Sequence, residues 1–159
     1  AGGEGAEADR NQTLPLLFFG SIREGRAACF DHLRVALGSH LHSTYSVWTD
    51  QQFDQTMRKY DLFLNLHKGC GRRLPVTFRN AVLLNAGKLI ISDRCYPEDE
   101  EEFRGMINFV GLDEIPQAYG MLLNANRSAL QRQAHNRFRE RFAPRAIFER
   151  AGIYRDLLR

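Results

Sequence analysis

Apolar residues along the chain fall into two kinds of run. Short, nearly unbroken runs occur at 14–19, 44–48, 61–66, 88–92 and 106–110. Runs of this length, apolar on both faces, predict strands of a parallel sheet covered by helices. Between and after them, apolar positions recur at helical spacing. Phe30, Leu33 and Leu37 mark a helix over 27–37, and Phe53 and Met57 mark one running from a cap at Thr49 or Asp50 to about residue 59. The stretch 75–86 has helix length, with Pro75 in its first turn and Gly87 placed to end it. Beyond the last strand, Asp113 opens a helix with Ile115, Tyr119 and Leu122 inward. Ser128 and Gln131 have capping-box spacing for the next, whose inner face is Leu130, Ala134, Phe138 and Phe142. Pro144 starts a final helix with Ile147, Ala151 and Tyr154 inward. Strand, helix and strand in alternation predict an α/β fold: a Rossmann-like, doubly wound parallel five-stranded sheet with extra C-terminal helices. The expected strand order is 2-1-3-4-5, with its switch point between the first and third strands.

The polar residues set among these apolar neighbours are the candidate chemistry. Asn65, His67 and Lys68 follow the third strand, and Ser92, Asp93 and Arg94 end the fourth. Thr77, Arg79 and Asn80 lie early in the intervening helix, near the positive end of its dipole. The first strand runs into Gly20-Ser21-Ile22-Arg23-Glu24-Gly25-Arg26, a glycine-bearing loop before a helix, where a phosphate can approach backbone N–H groups and arginines. The plainer reading is a tight turn with surface arginines. Arg79 is either an anion ligand or a buried arginine paired with a carboxylate such as Asp93. His67 is a histidine bonded to local backbone, a substrate contact or a general base. A zinc site from His67, Cys70 and Cys95 matches no standard spacing, and no metal site is expected. The assumed strand order brings Gly20, Ser21, Arg23, Arg26, Asn65, His67, Lys68 and Arg79 to one cationic crevice, with Thr77 and the end of the fourth strand beside it.

Composition narrows the classes. The 159 residues suit one domain, 14–159, behind a Gly-, Ala- and Glu-rich tail over 1–13 that reads as a linker. A net charge of +3 is too small to argue for nucleic acid as a partner. No apolar run has transmembrane length, and no secretory signal is visible, so the cytoplasm is the expected compartment. Cys29, Cys70 and Cys95 make no disulfide scaffold, and free thiols are expected. Asn11 and Asn126 lie in N-x-[ST] tripeptides, which matter only in a secreted chain. The acidic 97–102 stretch reads as a solvated helix start.

From about residue 16 to 154 the chain resembles the C-terminal, donor-binding half of GT-B glycosyltransferases, closest to the branch that includes spore-coat maturation-type enzymes. The matching residues are Phe19-Gly20-Ser21 with Arg26, the run Asp61-Leu62-Phe63-Leu64-Asn65-Leu66-His67, and Arg79 eight residues before Gly87. Leu89-Ile90-Ile91-Ser92-Asp93-Arg94 and the tail Arg137-Phe138-Arg139-Glu140-Arg141-Phe142 before Pro144 match as well. The resemblance implies a glycosyltransferase domain. A nucleotide sugar would be its donor substrate, with no cofactor required, and the diphosphate would lie on Gly20, Ser21 and Arg26 and more weakly on Lys68 and Arg79. It also implies an upstream acceptor-binding half and an acceptor hydroxyl whose identity is open. Two departures stand out. Many relatives carry a ribose-binding glutamate three residues after the motif arginine, where this chain has Val82. Leu74 and Val82 occupy both places of the related pattern of two glutamates eight apart. The alternative is therefore a non-catalytic binding or scaffolding module on the same fold. A receiver-like signalling domain is disfavoured, because the first strand ends in Gly20-Ser21 without an acidic cluster.

Overall fold

A computed structural model describes residues 14–23, 25–45, 47, 49–67 and 77–152. The tail over 1–13, Lys68, Cys70, Leu74, Pro75 and Tyr154 lie outside the described residues, as does the side chain of Thr77. Five strands, β1 (Leu16–Phe19), β2 (Leu41–Thr44), β3 (Leu62–Asn65), β4 (Leu89–Asp93) and β5 (Asn108–Val110), form one sheet in the order β2-β1-β3-β4-β5. Every pairing is parallel. The helices are α1 (Ala27–Leu37), α2 (Asp50–Lys59), α3 (Thr77–Asn85), α4 (Pro97–Glu102), α5 (Ile115–Asn124), α6 (Arg127–Phe142) and α7 (Pro144–Arg150). The sheet order and the doubly wound class are those expected from the apolar pattern.

Strand parity divides the core. Leu16, Phe18, Leu62, Leu64, Leu89 and Ile91 face α1 and α5, against Phe30, Leu33, Ile115 and Tyr119. Leu17, Phe63 and Ile90 face the other way, against Met57, Leu83, Leu84 and Ala134 from α2, α3 and α6. Alternate residues of one strand thus serve two cores, which is why the central strands read as unbroken apolar runs. The Tyr119 hydroxyl ties α5 to the entry of β1 by donating to the Leu14 carbonyl at 2.7 Å.

Three local expectations are corrected. The second strand is Leu41–Thr44, not 44–48. A 3-10 turn over Gly38–His40 delivers the chain from α1 directly into the sheet, and Leu41 pairs with Leu16. As an edge strand it buries only Leu41, so its polar partners His42 and Ser43 hid it from a search for apolar runs. Helix α6 is capped by Asn126, whose Oδ1 accepts from the Ala129 N–H, rather than opened by Ser128. In α7, Ile147 is 41% exposed and Ala151 is also exposed, so neither faces inward. The short helix is tied instead by Arg150, which lies over the Phe142 ring and reaches Glu102. Among the described residues no helix is long and apolar enough to cross a membrane.

Leu64 is 1% exposed in the central strand and Val35 is 89% exposed on α1. Leu64→Ala is expected to lower stability in urea denaturation by about 2–5 kcal/mol, and Val35→Ala to change it by less than about 0.5 kcal/mol.

Candidate functional site

The site is built where strands diverge. β2 pairs with β1 along the whole of Leu16–Phe19, but the β1–β3 ladder has only the rungs Leu16↔Leu62 and Leu17↔Phe63. Phe18 and Phe19 therefore run on without a partner in β3. This is the switch point, since α1 leaves β1 toward one face while α3 leaves β3 toward the other. Arg26 bridges the gap. Its Nε donates to the Leu66 carbonyl at 2.9 Å and its Nη1 to the Ser21 carbonyl at 3.2 Å. Its guanidinium, 6% exposed as a residue, also lies over the Phe18 ring at 5.7 Å. The sequence suggests a phosphate ligand at Arg26; the structure commits two of its donors to backbone carbonyls.

Arg79 comes from the first turn of α3 to the same place. Its guanidinium stacks 4.8 Å from the Phe19 ring centre and 5.9 Å from that of Phe18. Gly20 makes the approach possible: a Cβ there would lie 3.0 Å from Arg79 Nη2, and the residue's φ of +139° favours glycine. Asp93 is not the partner of Arg79. Among the described residues no carboxylate pairs with it, and Nη1 is buried without a hydrogen bond. Burial first, then the charge of Arg26, pulls the Arg79 pKa down to about 10. Two positive charges thus share one aromatic ring.

Asp93 is engaged by His67 instead. The register Asn65↔Ser92 sets His67, just past the end of β3, beside Asp93, the last residue of β4. The His67 backbone N–H donates to both Asp93 oxygens at 3.1 and 3.3 Å, and ring Nδ1 lies 2.6 Å from Oδ1. A carboxylate can only accept, so Nδ1 carries a proton; in the neutral imidazole the lone pair is then on Nε2. The local backbone bond anticipated for the imidazole is therefore replaced by a carboxylate from the next strand. Among the described residues Nε2 is buried without a hydrogen-bond partner.

Beneath this pair runs a polar chain. Asn65, 1% exposed, donates from Nδ2 to Ser92 Oγ at 2.9 Å, and Ser92 donates to the Asp93 carbonyl at 3.0 Å. Parity places Asn65 with Phe63 and Ser92 with Ile90, on the α3 side. Asn80, fully buried, lies one turn ahead of Leu83 and Leu84 on that inward helix face. Among the described residues neither its Oδ1 nor its Nδ2 has a hydrogen-bond partner, and Asn65 Oδ1 has none. The sequence singles out Asn80 as unusual without assigning it to the crevice. A buried amide on an apolar helix face was the available signal.

The remaining predicted residues divide. Ser21 accepts from the Arg23 N–H through Oγ at 3.2 Å, and Arg23 itself is exposed at the rim. Arg94 pairs with Glu100 at 2.8 Å. Cys95 is a free thiol, and burial, then Glu100, Asp99 and Asp93, push its pKa up to about 11. It remains protonated at neutral pH, a poor nucleophile or metal ligand. Among the described residues no group of three His, Cys, Asp or Glu side chains is placed to hold a metal ion.

Beside Arg79 opens a cavity of about 330 Å³ between α2 and α3, walled by Phe19, Phe53, Phe78 and Val82. A second, of about 380 Å³, adjoins it across Gly20, Thr44 and Tyr45 and reaches Ser21 and Arg23. A larger one, about 520 Å³, lies among α4, α6 and α7, away from the switch point. Its charges are largely paired with each other, as in Glu102 with Arg141 and Arg150. Comparison with family models, curated proteins and solved structures finds no match.

The two arginines should respond oppositely to removal of charge. Arg26→Met leaves two carbonyls without their donor and is expected to cost about 2–4 kcal/mol. Arg79→Met keeps contact with Phe19 and removes a desolvated cation, so it should raise stability by about 1 kcal/mol. That gain should hold at neutral pH and fade as pH rises through about 10, where the folded chain begins to release the proton that the unfolded chain keeps. Thermal melts of both variants at pH 7 measure the difference in sign.

Proposed function

We propose that the crevice binds the diphosphate of a nucleotide sugar and that the chain is the donor-binding domain of a glycosyltransferase. The observation that carries this reading is the Arg26–Arg79 pair: two guanidinium groups against one phenylalanine ring, the second seated close against Gly20, with Nη1 unbonded and no carboxylate partner among the described residues. Such an arrangement is destabilising alone and is relieved by an anion. A diphosphate suits it, because planar guanidinium forks match phosphate oxygens and the Gly20 loop lets them approach.

In the proposed reaction an acceptor hydroxyl oxygen forms a bond to the anomeric carbon of the sugar while the bond from that carbon to the diphosphate oxygen breaks. The diphosphate leaves with the electron pair, and Arg79 and the field of Arg26 stabilise its growing charge. The hydroxyl proton passes to a base, for which His67 is the candidate: Asp93 fixes its tautomer and leaves Nε2 to accept. Because Nε2 is covered, this role requires the residues above it to move when substrate binds. The acceptor surface is proposed to come from a second domain or chain.

One feature favours a second reading, a binding module without catalysis: Val82, on the wall of the cavity, occupies the position where the resemblance to GT-B glycosyltransferases implies a ribose-binding carboxylate. Calorimetric titration with UDP, GDP and ADP separates the two. Saturable binding of one nucleotide, weakened at least about tenfold by Arg79→Glu, is the expected result for a donor site. A binding module with no donor site shows no heat at millimolar nucleotide and is indifferent to the substitution.

A further inference from the structure

We propose that the cavity of about 520 Å³ among α4, α6 and α7 binds a free α-amino acid with an apolar side chain, its carboxylate on Arg137 and its ammonium on Glu140. The site stands apart from the donor crevice, since the cavity lies away from the switch point. Its volume is in the range of small-molecule sites. Most charges in its wall are already matched. Arg104 pairs with Glu101, Arg141 and Arg150 pair with Glu102, and Glu149 pairs with Arg145. Arg137 and Glu140, one cation and one anion, have no ion pair among the described residues. They are three residues apart on α6, which puts their Cβ atoms about 5–6 Å apart on one helix face. Such neighbours can pair with each other. Here the guanidinium is packed against Gly105 instead: a Cβ at this glycine would lie 2.5 Å from Arg137 Nη1 and 3.0 Å from Cζ, and the φ of +73° favours glycine.

A zwitterion answers both open charges at once. A simple carboxylate leaves Glu140 unpaired, an amine leaves Arg137 unpaired, and a peptide carries its two charges on different residues. A free α-amino acid carries both on one carbon, which suits two groups on neighbouring turns of one helix. The side chain is apolar because of what lies beyond Met106. This residue also lines a second cavity, of about 340 Å³, whose wall includes Leu89, Ile107 and Leu130. One stripe of α6 runs past both: Leu130 and Ala134 line the second cavity, and Arg137 and Arg141 line the first. The change from apolar to charged between Ala134 and Arg137 matches a ligand with an apolar end and a charged end. Met106, where the cavities meet, is an unbranched thioether that repacks readily. A side chain of leucine size, moved there from water, adds about ten- to a hundredfold in affinity. Arg137 and Glu140 are exposed, so each charge adds only about three- to fivefold.

The test is an amide NMR titration of the whole chain with L-leucine, glycine, leucinamide, which lacks the carboxylate, and 4-methylpentanoate, which lacks the ammonium. Leucine is expected to give saturable shifts at Gly105, Met106 and Arg137. Glycine should bind at least about tenfold more weakly, and each of the other two about three- to fivefold more weakly. No shift with leucine at about 50 millimolar overturns the proposal, as do saturable shifts confined to other residues. Glycine, leucinamide or 4-methylpentanoate binding as tightly as leucine overturns it too, because the apolar wall, Arg137 or Glu140 is then unused. Two variants assign the charges. Arg137→Gln should bring leucine to the affinity of leucinamide, and Glu140→Gln should bring it to that of 4-methylpentanoate. Both residues are exposed, so neither change should alter the thermal melt. Leucine binding that neither substitution weakens overturns the proposal. None of these outcomes bears on nucleotide binding at the switch point.

Discussion

The guanidinium of Arg26 holds the molecule together where its topology pulls it apart. In a doubly wound sheet the chain leaves neighbouring central strands toward opposite faces, and the strands separate at their C-terminal ends. Here the separation begins after the rung Leu17↔Phe63. The carbonyls of Ser21 and Leu66 then lie in a half-buried gap with no ladder to satisfy them. An arginine has the fork and the reach to answer both at once, and it is always charged. Closing the seam with a guanidinium has a consequence that closing it with an amide would not: it leaves a fixed positive charge in the crevice. That field reaches Arg79 and adds to its desolvation. The electropositive character of the site follows from how the sheet is closed.

The second polar element, the line Asn65–Ser92–Asp93–His67, is differently built. It replaces two positions of otherwise apolar strand faces with side chains that bond each other across β3 and β4. The chain is satisfied along its length and unsatisfied at its ends. Among the described residues Asn65 Oδ1 and His67 Nε2 both lack partners, and Asn80 adds a full amide without any. Buried groups of this kind are uncommon because each forfeits its hydration. Their gathering on the α3 side at one end of two strands is what distinguishes this edge of the sheet. Elsewhere the core is a plain division of leucine, isoleucine and phenylalanine between two faces.

The fold was largely readable in the sequence, because central strands sandwiched by helices leave continuous apolar runs and amphipathic helices leave a period. The sheet order followed once five such runs were recognised. The second strand was misplaced for the same reason that the others were found: an edge strand with one buried residue does not produce an apolar run. The site was readable as a set of residues and not as a set of roles. Arg26 and Arg79 are both arginines beside apolar segments, and nothing local to either says that one meets two carbonyls and the other none. The sequence offers Asp93 to Arg79 as one reading and does not offer it to His67. The register Asn65↔Ser92 decides between them, and register is a long-range property.

Gly20 and Arg79 bear on whether the crevice is more than a packing solution. If Arg79 served only to fill space over Phe19, an unbranched apolar side chain would do so without the desolvation that lowers its pKa. If Gly20 served only to turn the chain, the guanidinium need not lie 3.0 Å from where its Cβ would be. Each residue is individually unfavourable: the glycine in conformational entropy, the arginine in lost hydration. Together they seat a cation against the end of β1, packed on Phe18 and Phe19 with Nη1 left unbonded among the described residues. The ring contacts offset part of that cost, and an anion reaching the guanidinium would offset more.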